Sequence, residues 1–589
     1  MNHKKLLLTL TLCLCALLCM AVTASASEVS VHSHLICKGT TCTDPAHASH
    51  NDVTFEKAIT MNDNGVLCIG GTEAQKYDGQ NYDYILQEGT YYLDGDLTLH
   101  GGIQVKGSVT LCLNGHAISN DYSHVIQTPW GGDATFTLCD CKGEGKIAHV
   151  ENSESTGTGV NLNNTSTSQQ TFIMYNGCIT QNRGSGVYLY QNTSFTMYGG
   201  RITQNGYNNT SGVNGGGVYV HNGATFTMYG GDITKNQADY GGGVYVGSET
   251  ANFTMSGGSI TENHANNSGG GIYSTSNNIS IYGGGVTNNS VTKTGNAGGI
   301  YVSSSGTLTV GGNVNISGNW KGEKNGSISN NNANNVYLPA NSTITIEKAL
   351  TGAPIGITTA NAPTAGNPVT IVTGNSIEEA YKKPSFQADN AAYGVSYNST
   401  DKVLQLHKHS GGTATCRAEA VCTTCGQRYG NTNPNNHDIE HHDAKAATCT
   451  EVGWNAYNTC KREGCSYTTY KEIAALNHAF VHHETKAPTC TAVGWEAYDT
   501  CSRCDYSTTK VEIPMAPHTW KDATYTAPKT CTVCGATTGT KLSAYYYYSP
   551  AKTEDTPGSP KAGDPGVLLY AGLALASLTG LACTAKKRH

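Results

Sequence analysis

Charge is scarce in this sequence. Asp, Glu, Lys and Arg make up 13% of the 589 residues, the formal net charge is −7, and no long basic run occurs outside the two termini. No nucleic-acid partner is expected, because neutralising phosphates takes clustered Lys and Arg. Phenylalanine is scarce too: 8 Phe stand against 34 Tyr, while Gly reaches 70. Aromatics that are mostly tyrosine, set among glycine, asparagine and threonine, argue against a helical globule and for polar, glycine-punctuated β-structure. Cysteine is missing between residues 179 and 415, although the chain holds 22. Seven lie between Cys37 and Cys178 and eleven between Cys416 and Cys534. A cysteine-free body is thus set apart from a cysteine-rich C-terminal region.

The two ends carry processing signals. Lys4 and Lys5 precede an apolar run from Leu6 to Val22 and the small triplet Ala24, Ser25, Ala26. This pattern predicts a signal peptide over residues 1–26, cut between Ala26 and Ser27 by signal peptidase. Near the other end, an apolar stretch from Val567 to Ala585 is followed by Lys586, Lys587 and Arg588. That reads as a membrane span with a cytoplasmic basic end. Just before it, Ser559-Pro560-Lys561-Ala562-Gly563 resembles the sorting motif of Gram-positive wall proteins. The resemblance implies cleavage by sortase between Ala562 and Gly563 and attachment to peptidoglycan. Ala562 stands where that motif usually has threonine, so plain membrane retention is the alternative.

Internal repeats dominate the middle of the chain. GGGVYVHNGATFTMYGGDITKNQADY, starting at Gly215, returns as GGGVYVGSETANFTMSGGSITENHANNS from Gly241, with further copies on both sides. The period is 26 to 31 residues where it is regular. Each copy offers three short extended pieces, of the form GVYV, FTMY and IT, separated by glycine pairs or Asn-rich bends. Such short strands cannot bury a face alone, but stacked copies share a continuous core. The expected fold is all-β, a right-handed parallel β-helix followed by small Cys/His-stapled modules. The repeat resembles the pectate-lyase-like β-helix superfamily, and its GG-x-I and x-x-N elements are similar to the repeats of polymorphic outer-membrane adhesins. These motifs specify fold far better than activity.

Strand alternation assigns the faces. Val218 and Val220 share the core, so Tyr219 points outward, and stacking places Tyr188, Tyr219, Tyr245, Tyr273, Tyr301 and Tyr337 in one external column. That column is either a stabilising stack or a platform for sugars. Asn182, Asn205, Asn236, Asn263, Asn289 and Asn319, which close each IT-x-N, should form a ladder at a bend. Arg201 stands where the next copy has Asp232, and Lys235 matches Glu262, a pattern of interstrand charge pairs. A polysaccharide lyase or hydrolase would need a carboxylate constellation that breaks the repeat. Such a constellation is not visible in the regular copies, and the candidates left are Asp94, Asp96, Asp121 and Asp133.

The cysteines outside the body carry ligand spacings. Near the mature N-terminus, Cys37-x4-Cys42-x4-His47-x2-His50 suits a tetrahedral zinc, with a Cys37–Cys42 disulfide or free thiols as alternatives. Cys112 and Cys139 fall one period apart at the outward position that tyrosine holds elsewhere, close enough to bond or to stack as thiols. After the body, a second repeat gives Cys449, Cys460, Cys465, His478, then Cys490, Cys501, Cys504, His518. An earlier copy gives Cys416, Cys422, Cys425, His437, and a truncated one Cys531 and Cys534, for which His518 is an alternative partner. These Cys3His sets resemble treble-clef or zinc-ribbon knuckles, which implies structural zinc. Disulfides are the competing reading, and the odd cysteine count per copy and the recurring histidine speak against them.

The expected organisation is a signal peptide (1–26), an N-terminal Cys/His segment and cap (27–90), the β-helix (91–345), a β-rich cap (346–407), Cys/His repeats (408–540), a linker (541–559) and the sorting signal with its span (560–589). The leading functional expectation is an envelope-anchored, non-catalytic adhesin or glycan-binding surface protein on a Gram-positive cell. A β-helix polysaccharide-degrading enzyme and a passive structural surface protein are the alternatives.

Overall fold

A computed structural model describes residues 32–36 and 52–544, apart from 75, 77–81, 152, 154, 165–167, 207–211, 305 and 323–331. The expected signal peptide, the Cys37, Cys42, His47, His50 set, the Ala562-Gly563 motif and the apolar C-terminal stretch lie outside the described residues. Among those described, no helix is long and apolar enough to cross a membrane.

The described chain is almost entirely β. The copies of GVYV stack in parallel, and Val187–Leu189, Val218–Val220, Val244–Val246, Ile272–Ser274, Ile300–Val302 and Val336–Leu338 belong to one twelve-stranded sheet. The FTMY and IT pieces build a second, larger parallel sheet. Its in-register neighbours put Phe195 beside Phe226 and Phe226 beside Phe253. Parallel pairing continues past residue 345: Ile355–Thr359 pairs with Val336–Leu338 and Phe386–Ala388 pairs with Ile355–Thr359. The solenoid then ends on a short helix, Ile377–Lys382, and on antiparallel pairing of Val403–Lys408 with Tyr393–Asn398 and Val369–Gly374. By contact density the chain divides in two. The first unit runs to Glu440 and includes Cys460–Tyr467, and the second comprises His441–Thr459 and the residues from Thr468 onward.

The core follows the alternation. Phe136, Phe172, Phe195, Phe226 and Phe253 are fully buried in a face-to-face column with ring centroids 4.6 to 5.3 Å apart. Methionines 174, 197, 228 and 255 fill the next inward position. Each Met also dictates a glycine. A Cβ on Gly200, Gly231, Gly258 or Gly284 would meet a methionine Cε at 2.5 to 2.7 Å, and each has φ between +81° and +86°. The second glycine of the pair is therefore needed for both space and backbone conformation.

The asparagine ladder forms at the bend after IT. Asn205 Nδ2 and its backbone N–H both donate to Asn236 Oδ1 at 3.0 Å, and Asn236 repeats the pattern on Asn263. The ladder runs from Asn182 to Asn319 and one rung further, to Asn335. All six asparagines predicted for it are fully buried. Both ends are closed by titratable residues. His149 Nδ1 lies 2.8 Å from Asn182 Oδ1, and Asp389 accepts from the Asn335 backbone, from Asn335 Nδ2 and from Thr358. Every side-chain amide points its N–H end toward Asp389, so the carboxyl sits at the positive end of a row of aligned dipoles. The residues before the first five ladder asparagines, Gln181, Gln204, Lys235, Glu262 and Asn288, have φ between +54° and +58°. Non-glycine residues hold this left-handed conformation because the ladder over-determines the bend.

Candidate metal centres

The cysteine-rich region has almost no apolar core. Beyond Leu406, the buried hydrophobic side chains among the described residues are Ala420 and five cysteines: Cys422, Cys449, Cys490, Cys501 and Cys531. All five belong to four-membered groups of Cys and His whose ligand atoms lie within 4.8 Å of one another.

The grouping differs from that read along the sequence. The lone cysteine of each repeat joins the close pair of the next repeat, not its own. Cys416 meets His437, Cys460 and Cys465; Cys449 meets His478, Cys501 and Cys504; Cys490 meets His518, Cys531 and Cys534. The physical reason is strand pairing. In the second unit, Phe480–His483 pairs with Tyr498–Cys501, which brings the histidine before one strand to the cysteine ending the other. The first close pair, Cys422 and Cys425, has no lone cysteine before it. His407 and His409, at the end of the cap strand Val403–Lys408, take the two vacant places. Sequence reasoning missed these two histidines, although H-x-H on a strand presents two imidazoles on one face.

The distances suit a tetrahedral ion. With metal–sulfur bonds near 2.3 Å and metal–nitrogen bonds near 2.0 to 2.1 Å, neighbouring ligands should be about 3.8 Å apart for S···S and about 3.5 Å for S···N. Cys416 lies 3.7 Å from Cys460 and 3.5 Å from Cys465, Cys449 lies 3.6 Å from Cys501, and Cys490 lies 3.8 Å from Cys531. Histidine Nδ1 atoms of His437, His478 and His518 stand 3.4, 3.4 and 3.3 Å from Cys465, Cys504 and Cys534. In the first group His407 Nε2 is 3.5 Å from Cys422, and His409 Nδ1 is 3.6 Å from Cys425. Gly394 leaves room there, since a Cβ would sit 2.5 Å from the His409 ring and 2.9 Å from the Cys425 sulfur.

Surrounding groups favour a thiolate at the first cysteine of each close pair, whereas burial pushes the lone Cys449 and Cys490 up to about 11. Burial raises the pKa of the first cysteine of each close pair, but backbone N–H groups and the neighbouring histidine outweigh it. Cys422 and Cys501 are pulled down to about 5, and Cys460 and Cys531 to about 6. His437 stacks on Tyr467 at 3.8 Å and His478 on Tyr506 at 4.0 Å. Gly426 and Gly535, directly after Cys425 and Cys534, adopt φ of +73° and +77° and close the tight turn on the C-x2-C pair.

On the body, the tyrosine column is continuous. Ring centroids of Tyr188, Tyr219, Tyr245, Tyr273, Tyr301 and Tyr337 follow one another at 4.6, 4.8, 5.3, 4.9 and 5.7 Å. The rings are half-buried and stack on one another along the column, with Tyr219 and Tyr245 tilted by 35°. Burial pushes the phenols of Tyr188, Tyr219 and Tyr273 up to about 12. Tyr175, Tyr198 and Tyr229 form a second stack. The glycines that follow them floor a groove of about 450 Å³ beside Arg201 and Asp232.

Several charged residues of the body contact neighbouring coils. Arg201 and Asp232 are register partners, and Lys235 Nζ lies 3.5 Å from Glu262. Asp96 accepts from the backbone of Ala117, Asp121 contacts His100 at 2.9 Å, and Asp133 accepts from the backbone of Gln169. Cys112 and Cys139 are in-register neighbours, both buried and both free thiols. Compared with protein-family models, with curated proteins and with solved structures, the chain shows no match.

Proposed function

We propose that this chain is an exported surface protein in which a non-catalytic β-helix binds an extended glycan and zinc-stapled modules connect that body to the cell envelope. The observation that carries the binding reading is the six-membered tyrosine column. It runs along the stacking direction at one hydroxyl per coil and is not required by the core. Because the four inner rings, Tyr219, Tyr245, Tyr273 and Tyr301, each lie between two neighbours, recognition uses hydroxyls and ring edges, not stacking of sugars on open faces. Zinc is the metal that best suits the C-terminal groups, since closed Cys3His and Cys2His2 sets with every position filled by protein are structural zinc sites. Export and anchoring rest on the Ala26-Ser27 and Ala562-Gly563 motifs, with signal peptidase and sortase as processing enzymes.

Two triple substitutions test the column. Tyr219, Tyr245 and Tyr273 changed together to Phe keep the stacked rings, so the thermal melt should stay within a few degrees of wild type. Glycan binding on an array should fall at least tenfold. The same three positions changed to Ser also remove stacked pairs worth about 0.5 to 1.5 kcal/mol each, and the body should melt earlier. Undiminished glycan binding by the folded Phe variant would remove the column as the site.

A further inference from the structure

We infer that the N-terminal strand is clasped to the solenoid by a second kind of metal centre, a zinc-type ion held by His32, His34, Cys112 and Cys141. It is separate from the C-terminal groups and does not depend on them. Histidines two apart on the strand His32–His34 present their rings to the same side. That strand pairs antiparallel with Val53–Phe55, and Phe55 packs over Cys112, Cys139 and Tyr175 on the outside of the coils. The outward column that is tyrosine further along is cysteine here, and the N-terminal strands cover it.

The four ligand atoms lie within 4.8 Å of one another. His34 Nε2 is 3.2 Å from Cys112 Sγ, and His32 Nε2 is 3.7 Å from Cys141 Sγ, close to the edges of a tetrahedron around one ion. The tautomer of His34 agrees. Its Nδ1 donates to the Leu35 carbonyl at 2.8 Å, which leaves the Nε2 lone pair toward the sulfur, the usual arrangement of a metal-bound imidazole. Both rings are also held from behind, His32 stacked on Tyr92 at 4.4 Å and His34 on Phe55 at 4.6 Å. Two thiolates and two imidazoles favour a tetrahedral, borderline-soft divalent ion. The three elements that supply the ligands are far apart in the chain, so the ion joins the N-terminal strand to two consecutive coils.

The test is a difference in metal content on the mature chain reconstituted with zinc. His34→Asn and Cys141→Ser should each hold one ion fewer than wild type by elemental analysis, whatever the total. Cys141 is exposed, so its replacement leaves the packing intact, and an unchanged melt of the body verifies that. Cobalt substitution should show thiolate-to-metal charge-transfer absorbance reduced in Cys141→Ser by one site's share, and limited proteolysis should cut ahead of Val53 faster in both variants. Equal metal content in wild type and both variants would overturn the proposal. The C-terminal ions are counted in the same measurement and are unaffected by these substitutions, so their presence or absence is read independently.

Discussion

Removing zinc from the C-terminal repeats is expected to unfold them while the β-helix stays folded. The repeats bury cysteines in place of an apolar core, so with zinc as the bound ion the free energy of folding there would be essentially the free energy of metal binding. Structural zinc contributes about 10 to 16 kcal/mol in small zinc-dependent domains near neutral pH. No other interaction in these repeats approaches that figure. Their exposed ion pairs, such as Lys445 with Glu451, are worth at most about 1 kcal/mol. Hydrogen exchange with and without a strong chelator should show protection lost over the repeats and retained in the coils. A repeat region that keeps its protection after the metal is stripped would refute the structural role.

Metal content of cysteine variants, measured by elemental analysis, decides the grouping. Cys449→Ser and Cys501→Ser should each lose one ion, and the double variant should also lose one, because both cysteines serve the same centre. Cys449→Ser combined with Cys460→Ser should lose two. The reverse pattern would restore the grouping within each repeat.

Asn236→Ala is expected to be the most damaging single substitution in the coils. The change leaves the backbone N–H and Nδ2 of Asn205 without their shared acceptor and removes the donor to the Ile202 carbonyl. It also takes one of two donors from Asn263 Oδ1. Each buried polar group left unpaired costs about 1 to 3 kcal/mol, so for these three groups a total loss of about 3 to 9 kcal/mol is expected. Solenoid stability is nearly a sum over neighbouring coils, so the effect should appear first as local opening around residues 205–263. Urea unfolding and proteolysis of the variant measure both. A loss below about 1 kcal/mol would mean that water replaces the amide, and the ladder would then be incidental to stability.

Much of the body was legible because its information is periodic and local. A repeat of GVYV, FTMY and IT assigns Phe226 to the core and Tyr219 to the outside by strand alternation alone. An asparagine at the same place in every copy can only recur at the same bend. The ends of the ladder were not legible, because His149 and Asp389 lie outside the regular repeat and meet it only where the stack starts and stops. In the cysteine-rich region the sequence identified the ligands better than their partners. All eleven cysteines there enter a four-membered Cys/His group that could hold a metal, yet spacing along the chain paired Cys449 with Cys460 when the fold pairs it with Cys501.

By itself, then, the sequence determined an all-β chain of stacked coils with a tyrosine face, an asparagine bend and a metal-ligand composition at its C-terminal end. Periodicity, strand alternation and residue chemistry act between neighbours in the chain or between successive copies. Only the tertiary structure decided which cysteines share a centre, that His407 and His409 complete the first, and that His32 and His34 reach Cys112 and Cys141. A metal centre selects its ligands by distance in space to within a few tenths of an ångström, and separation along the chain places no such limit.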